Sequence, residues 1–228
     1  MRKLSVIMVA VAVWMLASCG NKTQQVPFDN GDSAEVANAD PTLYGVCGEA
    51  TAMNTLQLFT DTGDTLELDL SQAQENNRVL GGLQVGDRMA VVPTKDMKEA
   101  VSVINQTTLL GNWVMPNPID GSDEVGIAIK EGGIAESIEQ STIMYKTWRL
   151  VRGQLEIMLV RDGGSGEDEL YTYDIVKLGP DTLIYKSVRN AKDTEYTEEL
   201  FEYSRQKAHE GYGKDVVLEE ASLDDFQM

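Results

Sequence analysis

Gly111-Asn112-Trp113 opens the longest run of strand-like sequence in the chain. Eight strand-like runs lie between Thr107 and Arg205, at approximately 108–115, 124–130, 133–139, 142–151, 154–161, 168–178, 182–188 and 194–204. The links between them are short and turn-forming, among them Glu131-Gly132-Gly133, Arg152-Gly153-Gln154 and Gly179-Pro180-Asp181. Short links make neighbours in sequence antiparallel neighbours in space. Alternation gives the runs one apolar face each: Val125, Ile127 and Ile129; Leu155, Ile157 and Leu159; Tyr171, Tyr173 and Ile175. The fourth run is ambiguous, because Trp148 and Leu150 share parity with Met144 and Lys146, whereas Tyr145 and Thr147 take the other face. We place Trp148 and Leu150 inward. Eight strands in meander order predict a closed barrel, since closure removes both exposed edges. At eight strands the interior is either filled by side chains or holds one small ligand.

Residues 107–205 resemble the lipocalin-like domains of bacterial lipoproteins. Gly111-Asn112-Trp113 fits the Gly-x-Trp motif on the first strand of that superfamily. The resemblance implies that Trp113 plugs the closed end of the barrel and stacks under a basic residue from the end of the last strand. Arg205, directly after Phe201-Glu202-Tyr203-Ser204, stands where that residue belongs. Gly111, Trp113 and Arg205 are therefore expected to close one end, and any ligand belongs at the other. The expected pocket residues are Trp148, Leu155, Ile157, Tyr171, Tyr173 and Tyr185. Lys130, Lys146 and Arg149 are either contacts for an anionic ligand at the barrel mouth or surface cations lying along apolar stems. The first loop, Asn117 to Glu124, is short where larger lipocalins carry a long lid.

Residues 42–106 read as a smaller β unit of about five short strands. Leu66, Leu68 and Leu70 alternate with Thr65, Glu67 and Asp69, and Asp61-Thr62-Gly63-Asp64 is a hairpin link. In strand number, and in the turn Gly82-Leu83-Gln84-Val85-Gly86-Asp87 before a strand, the unit resembles the small barrels of the oligonucleotide/oligosaccharide-binding (OB) type. Nucleic acid is not the expected partner. The segment has four basic and nine acidic residues, and its aromatics are only Tyr44 and Phe59. The expected fold class is all-β: a small five-stranded OB-like barrel, then an eight-stranded up-and-down lipocalin-like barrel.

The N-terminal end has a separate logic. Met1-Arg2-Lys3 is basic, and the thirteen residues from Leu4 to Leu16 are apolar except for Ser5. That is a secretory signal, residues 1–18, too short for a bilayer core that takes about 20 residues to cross. Leu16-Ala17-Ser18-Cys19 resembles the lipobox of bacterial lipoproteins. The resemblance implies cleavage before Cys19 and its lipidation, with palmitate as a typical acyl chain. More than one acyl chain would hold the protein durably to a membrane. Residues 19–41 are polar and turn-rich, a tether. The residues just after Cys19 include no acid, and in some Gram-negative lipoproteins acids there act as a surface-export signal. This favours an outer-membrane, periplasm-facing location. If Cys19 carries lipid, Cys47 has no intrachain partner, and a buried apolar role is expected for it. Residues 206–228 form an acidic tail.

Charge and residue inventory narrow the function. With 37 acidic and 19 basic residues the chain carries −18 at pH 7, which repels nucleic acid and anionic headgroups. The single histidine, His209, lies in the tail, so no Ser-His or Cys-His pair falls in a core and no enzyme is expected. Neither a metal site nor a cofactor is expected: no cysteine–histidine cluster has zinc spacing, and Glu167-Asp168-Glu169 reads as a solvated turn. The expected function is that of a lipid-anchored envelope lipoprotein binding a small apolar or amphipathic ligand. The alternative is a non-enzymatic structural or protein-interaction module with a filled barrel.

Overall fold

The computed structural model describes residues 40–118, 121, 123–140, 142–164, 166–189 and 197–207. The signal, Cys19, most of the tether and the tail from residue 208 lie outside the described residues.

Six strands form the first sheet: β1 (Leu43–Cys47), β2 (Thr55–Thr60), β3 (Thr65–Asp69), β4 (Val79–Leu80), β5 (Arg88–Pro93) and β6 (Ala100–Asn105), in the order β3-β2-β1-β5-β6-β4. A short helix, α1 (Ser71–Glu75), links β3 to β4. The alternating apolar residues pack on one face: Cys47, Leu56, Leu58, Leu68, Met89, Val91 and Val103 are all buried. Sequence periodicity predicts five strands and misses β4. Two residues cannot display a period of two, and β4 pairs parallel to β6 through Val79 and Leu80 alone. Nor is the hydrogen-bonded ladder a closed barrel. A lone parallel bridge between Asp69 and Glu99 ties the β3 edge to the start of β6.

Helix α2 (Gln106–Leu109) leads straight into the second sheet. Asn105 starts it: its side-chain oxygen accepts from the Thr108 N–H at 2.9 Å, and its Nδ2 donates to Asp87 Oδ2 at 2.6 Å. A buried amide with both ends paired avoids the cost of an unsatisfied polar group.

The second sheet is a closed eight-stranded antiparallel barrel. Its strands are β7 (Gly111–Pro116), β8 (Glu124–Lys130), β9 (Ile134–Ile138), β10 (Ile143–Val151), β11 (Gln154–Arg161), β12 (Glu169–Leu178), β13 (Thr182–Ser187) and β14 (Leu200–Arg205). Every strand pairs with its sequence neighbours, and β14 pairs with β7 through Arg205–Trp113 and Ser204–Val114. One end, called the closed end here, holds the start of β7, the end of β14 and the links at 131–133, 152–153 and 179–181. The opposite end is the open end.

Two β-bulges set which residues face inward. In β10 the pairing jumps from Tyr145–Leu159 to Thr147–Met158, leaving Lys146 as the extra residue. A bulge reverses side-chain parity, so Tyr145 and Trp148 both join the apolar interior despite their opposite parity. The ambiguity of that run is physical. A second bulge at Val176, between Ile175 and Lys177, likewise brings both Ile175 and Leu178 inward.

The first sheet packs on the closed end. The Gly81 N–H donates to the Leu178 carbonyl at 3.2 Å, the Arg152 N–H donates to Thr42 Oγ1 at 2.9 Å, and the Tyr44 hydroxyl donates to the Leu150 carbonyl. Gly153, with φ +75°, presses against Ser102 so closely that an added Cβ would lie 3.0 Å from Ser102 Oγ. Leu80, Ala90, Ile104 and Leu109 share one apolar cluster with the barrel interior.

Candidate functional site

Both ends of the barrel hold residues singled out by the sequence, and the two are built differently. At the closed end the structure brings Gly111, Trp113 and Arg205 together. Trp113 is fully buried, and the guanidinium carbon of Arg205 sits 4.2 Å from the centre of its indole. The four-residue helix α2 leaves carbonyls without helical partners at its C-terminal end. The two side chains take them: Trp113 Nε1 donates to Leu109 O at 2.8 Å, and Arg205 donates to Thr108 O at 2.8 Å and Leu110 O at 2.9 Å. Arg205 Nε also donates to the Pro180 carbonyl. Gly111 leaves room for this cation. Its φ is +140°, and a Cβ there would lie 2.1 Å from an Arg205 terminal nitrogen. The site holds the end of α2 and the ends of β7 and β14 together by hydrogen bonds and stacking.

Towards the open end the interior is aromatic. Tyr145, Tyr171 and Phe201 are half-buried, and Tyr173, Tyr185 and Tyr203 are buried. Tyr173 and Phe201 meet edge-on with centroids 5.8 Å apart, and Tyr173 and Tyr185 tilt together at 4.8 Å. Such pairs add about 0.5–1.5 kcal/mol each beyond area burial. The Tyr185 and Tyr203 hydroxyls are hydrogen-bonded at 3.2 Å inside this apolar surround. Burial pushes the phenols of Tyr173, Tyr185 and Tyr203 well above their ordinary range, and that of Tyr145 up as well. They are neutral hydrogen-bonding groups at physiological pH. At the rim, Arg161 lies 4.9 Å over the Tyr171 ring.

Of the expected pocket residues, Leu155, Ile157, Tyr173 and Tyr185 are buried within one cluster, and Tyr171 packs against it from nearer the open end. Trp148 lies lower. Its indole N–H donates to the Lys130 carbonyl at 2.8 Å, beside the closed-end link. Phe201, Tyr203 and Tyr145 complete the aromatic wall and escape sequence reasoning. Phe201 and Tyr203 come from the far end of the chain, and Tyr145 needs the β10 bulge to face inward.

The three cations do not gather at the mouth. Arg149 is ion-paired with Glu156 at 2.6 Å and lines a cleft at the closed end, and Lys130 pairs with Glu136 next to the closed-end turn. Lys146 pairs with Asp168 in the open-end link between β11 and β12. Among the described residues no group of three or more histidine, cysteine, aspartate or glutamate side chains could hold a metal ion.

No curated protein matches the chain. A solved structure described as a lipocalin-like protein from Bacteroides thetaiotaomicron is 27% identical, covering 43% of this chain and 97% of that chain, with a TM-score of 0.35. The lipocalin-like family model matches residues 105–206, the whole of the closed barrel with α2 before it, and on that match the chain carries a lipocalin-like domain.

Proposed function

We propose that the protein is a lipid-anchored lipoprotein of the cell envelope whose barrel takes a small apolar or amphipathic molecule at its open end. The observation that carries this reading is the aromatic wall. Tyr145, Tyr171 and Phe201 stand half-buried above Tyr173, Tyr185 and Tyr203. Such a wall offers an apolar ligand wide contact area and a few phenol hydroxyls to orient it. The lipocalin-like match over the same residues supports it, because that fold is consistent with binding small apolar ligands. The barrel works by burial, with no chemical step. The anchor rests on Leu16-Ala17-Ser18-Cys19, and the periplasm-facing side of the outer membrane on the lack of acids after Cys19. The strand-helix-strand order of the first sheet and its Asp69–Glu99 bridge support the OB likeness of residues 42–106.

A second reading has its own observation. Tyr145 on β10 and Tyr203 on β14, four strands apart around the barrel, are hydrogen-bonded across the interior, and Leu155 and Ile157 are fully buried, as in a barrel filled by side chains. Such a barrel would serve as an interaction module.

Native mass spectrometry of the tag-free protein, with a thermal-shift panel of palmitate and the neutral dye N-phenyl-1-naphthylamine, separates the two. A co-purified or added molecule bound one to one, and weakened by Phe201→Ala, supports the binding barrel. Repeated failure of both assays leaves the filled barrel. The anchor is tested apart: Cys19→Ala should abolish palmitate labelling, and labelling that persists refutes it.

A further inference from the structure

The docking of the first sheet onto the closed end leaves a cleft of about 510 Å³ at that end of the barrel. That volume lies in the range of small-molecule sites. Its walls come from four places: Tyr44 and Arg88 on β1 and β5, Gln106 and Leu110 at the two ends of α2, the turn Glu131-Gly132-Gly133, and Trp148, Arg149 and Leu150 on β10. Neither the sheet nor the barrel has this cleft alone.

The chemistry of the walls is specific. Leu110, Leu150, Trp148 and Tyr44 supply an apolar and aromatic lining. Tyr44 is pinned by its bond to the Leu150 carbonyl, and Trp148 by its bond to Lys130. Two arginines line the same cleft in a chain that carries −18 overall. Each is oriented by a carboxylate from outside the cleft lining. Asp61 takes two N–H groups of Arg88 at 2.7 Å, and Glu156 takes Arg149 Nε at 2.6 Å. Arg88 gives two of its five N–H donors to Asp61, and a guanidinium held in this way can still address an anion. Glu131, also in the lining, disfavours a second negative charge on a ligand.

We propose that this cleft, at the opposite end from the barrel mouth, is a second binding site for a small amphipathic acid. The ligand has a planar or compact apolar body against Trp148 and Tyr44, and one carboxylate or comparable anionic group between Arg88 and Arg149. Because its walls belong to both sheets, occupation clamps the first sheet to the barrel.

The test titrates the purified protein with 2-naphthoate, an aromatic ring system bearing one carboxylate, and with its neutral analogue 2-naphthalenemethanol, by calorimetry. The acid should bind one to one and the alcohol at least tenfold more weakly. Arg88→Gln and Arg149→Gln should each weaken the acid roughly tenfold, the order set by one charge-assisted hydrogen bond. Gln106→Arg should tighten it and Gln106→Glu weaken it, and these two variants leave both arginine–carboxylate pairs in place. Tyr171→Ala, at the open end, should leave the affinity unchanged. The proposal is overturned if the acid does not bind at millimolar concentration to protein of parental melting temperature. Equal affinities for acid and alcohol, indifference to the arginine and Gln106 changes, or loss of binding on Tyr171→Ala would each do the same.

Discussion

The two ends of the barrel are made of similar residue types put to opposite uses. At the closed end an aromatic ring and a cation are locked: Trp113 is fully buried, and Arg205 donates to three backbone carbonyls. At the open end an aromatic ring and a cation also meet, in Tyr171 and Arg161, but Tyr171 is only half-buried and Arg161 is exposed. A cation over a ring is thus structural or accessible according to what its N–H groups reach. Where they finish a helix, the pair carries stability. Where the cation is exposed at a rim, the pair stays open to solvent.

Substitutions sharpen that contrast in order of size. Trp113→Ala should cost about 3–5 kcal/mol, the range for deleting a large buried aromatic, read by urea denaturation. A loss below about 1 kcal/mol would break the view of Trp113 as the plug. Arg205→Met keeps the stem but leaves the carbonyls of Thr108, Leu110 and Pro180 without this donor, and should cost about 2 kcal/mol by the same assay. Gly111→Ala should fall in the same direction by displacing the guanidinium.

Alkaline pH probes the upper interior. The phenols of Tyr173, Tyr185 and Tyr203 have folded pKa values raised above their unfolded values near 10. The unfolded chain therefore loses these protons first. The stability they contribute is complete below about pH 10 and declines above it, by about 1.4 kcal/mol per pH unit for each such tyrosine. Melting temperatures measured between pH 8 and 11, with phenolate absorbance followed alongside, would show it. Ionisation of all the tyrosines in still-folded protein near pH 10 would contradict the buried wall. The smallest stability effect is expected from Tyr171→Ala, below about 1 kcal/mol because the ring is half-exposed. The same change should weaken N-phenyl-1-naphthylamine severalfold if the open end binds ligands.

The barrel was legible because period-two alternation and glycine turns are local signals, and the runs at 124–130 and 154–161 coincide with β8 and β11. The bulge at Lys146 was not, since nothing in Tyr145-Lys146-Thr147 marks an extra residue and only the pairing with β11 reveals it. The short helices α1 and α2 carry too few residues for a 3.6-residue period to emerge. Helix α2 depends on Asn105 at one end and on Trp113 and Arg205 at the other. Docking of the first sheet was illegible for another reason: its bonds use the backbone of the barrel, the carbonyls of Leu150 and Leu178 and the N–H of Arg152, and backbone groups have no sequence signature. The closed-end cleft follows from that docking, so sequence alone leaves Arg149 open between a mouth contact and a surface cation and does not point to the cleft it lines. Leu155 and Tyr173, cross-strand partners on β11 and β12, could be read as inward, but how far the interior is filled depends on how opposite walls close, which alternation does not encode.

The closed end also decides where the polypeptide comes and goes. Asp40 accepts from the Arg152 N–H, and the Gln206 N–H donates to Asn112 O, so the chain enters and leaves the described fold at the same pole. Whatever joins the described fold at Asp40 or at Lys207 therefore joins it beside the Trp113–Arg205 lock, at the pole opposite the open end.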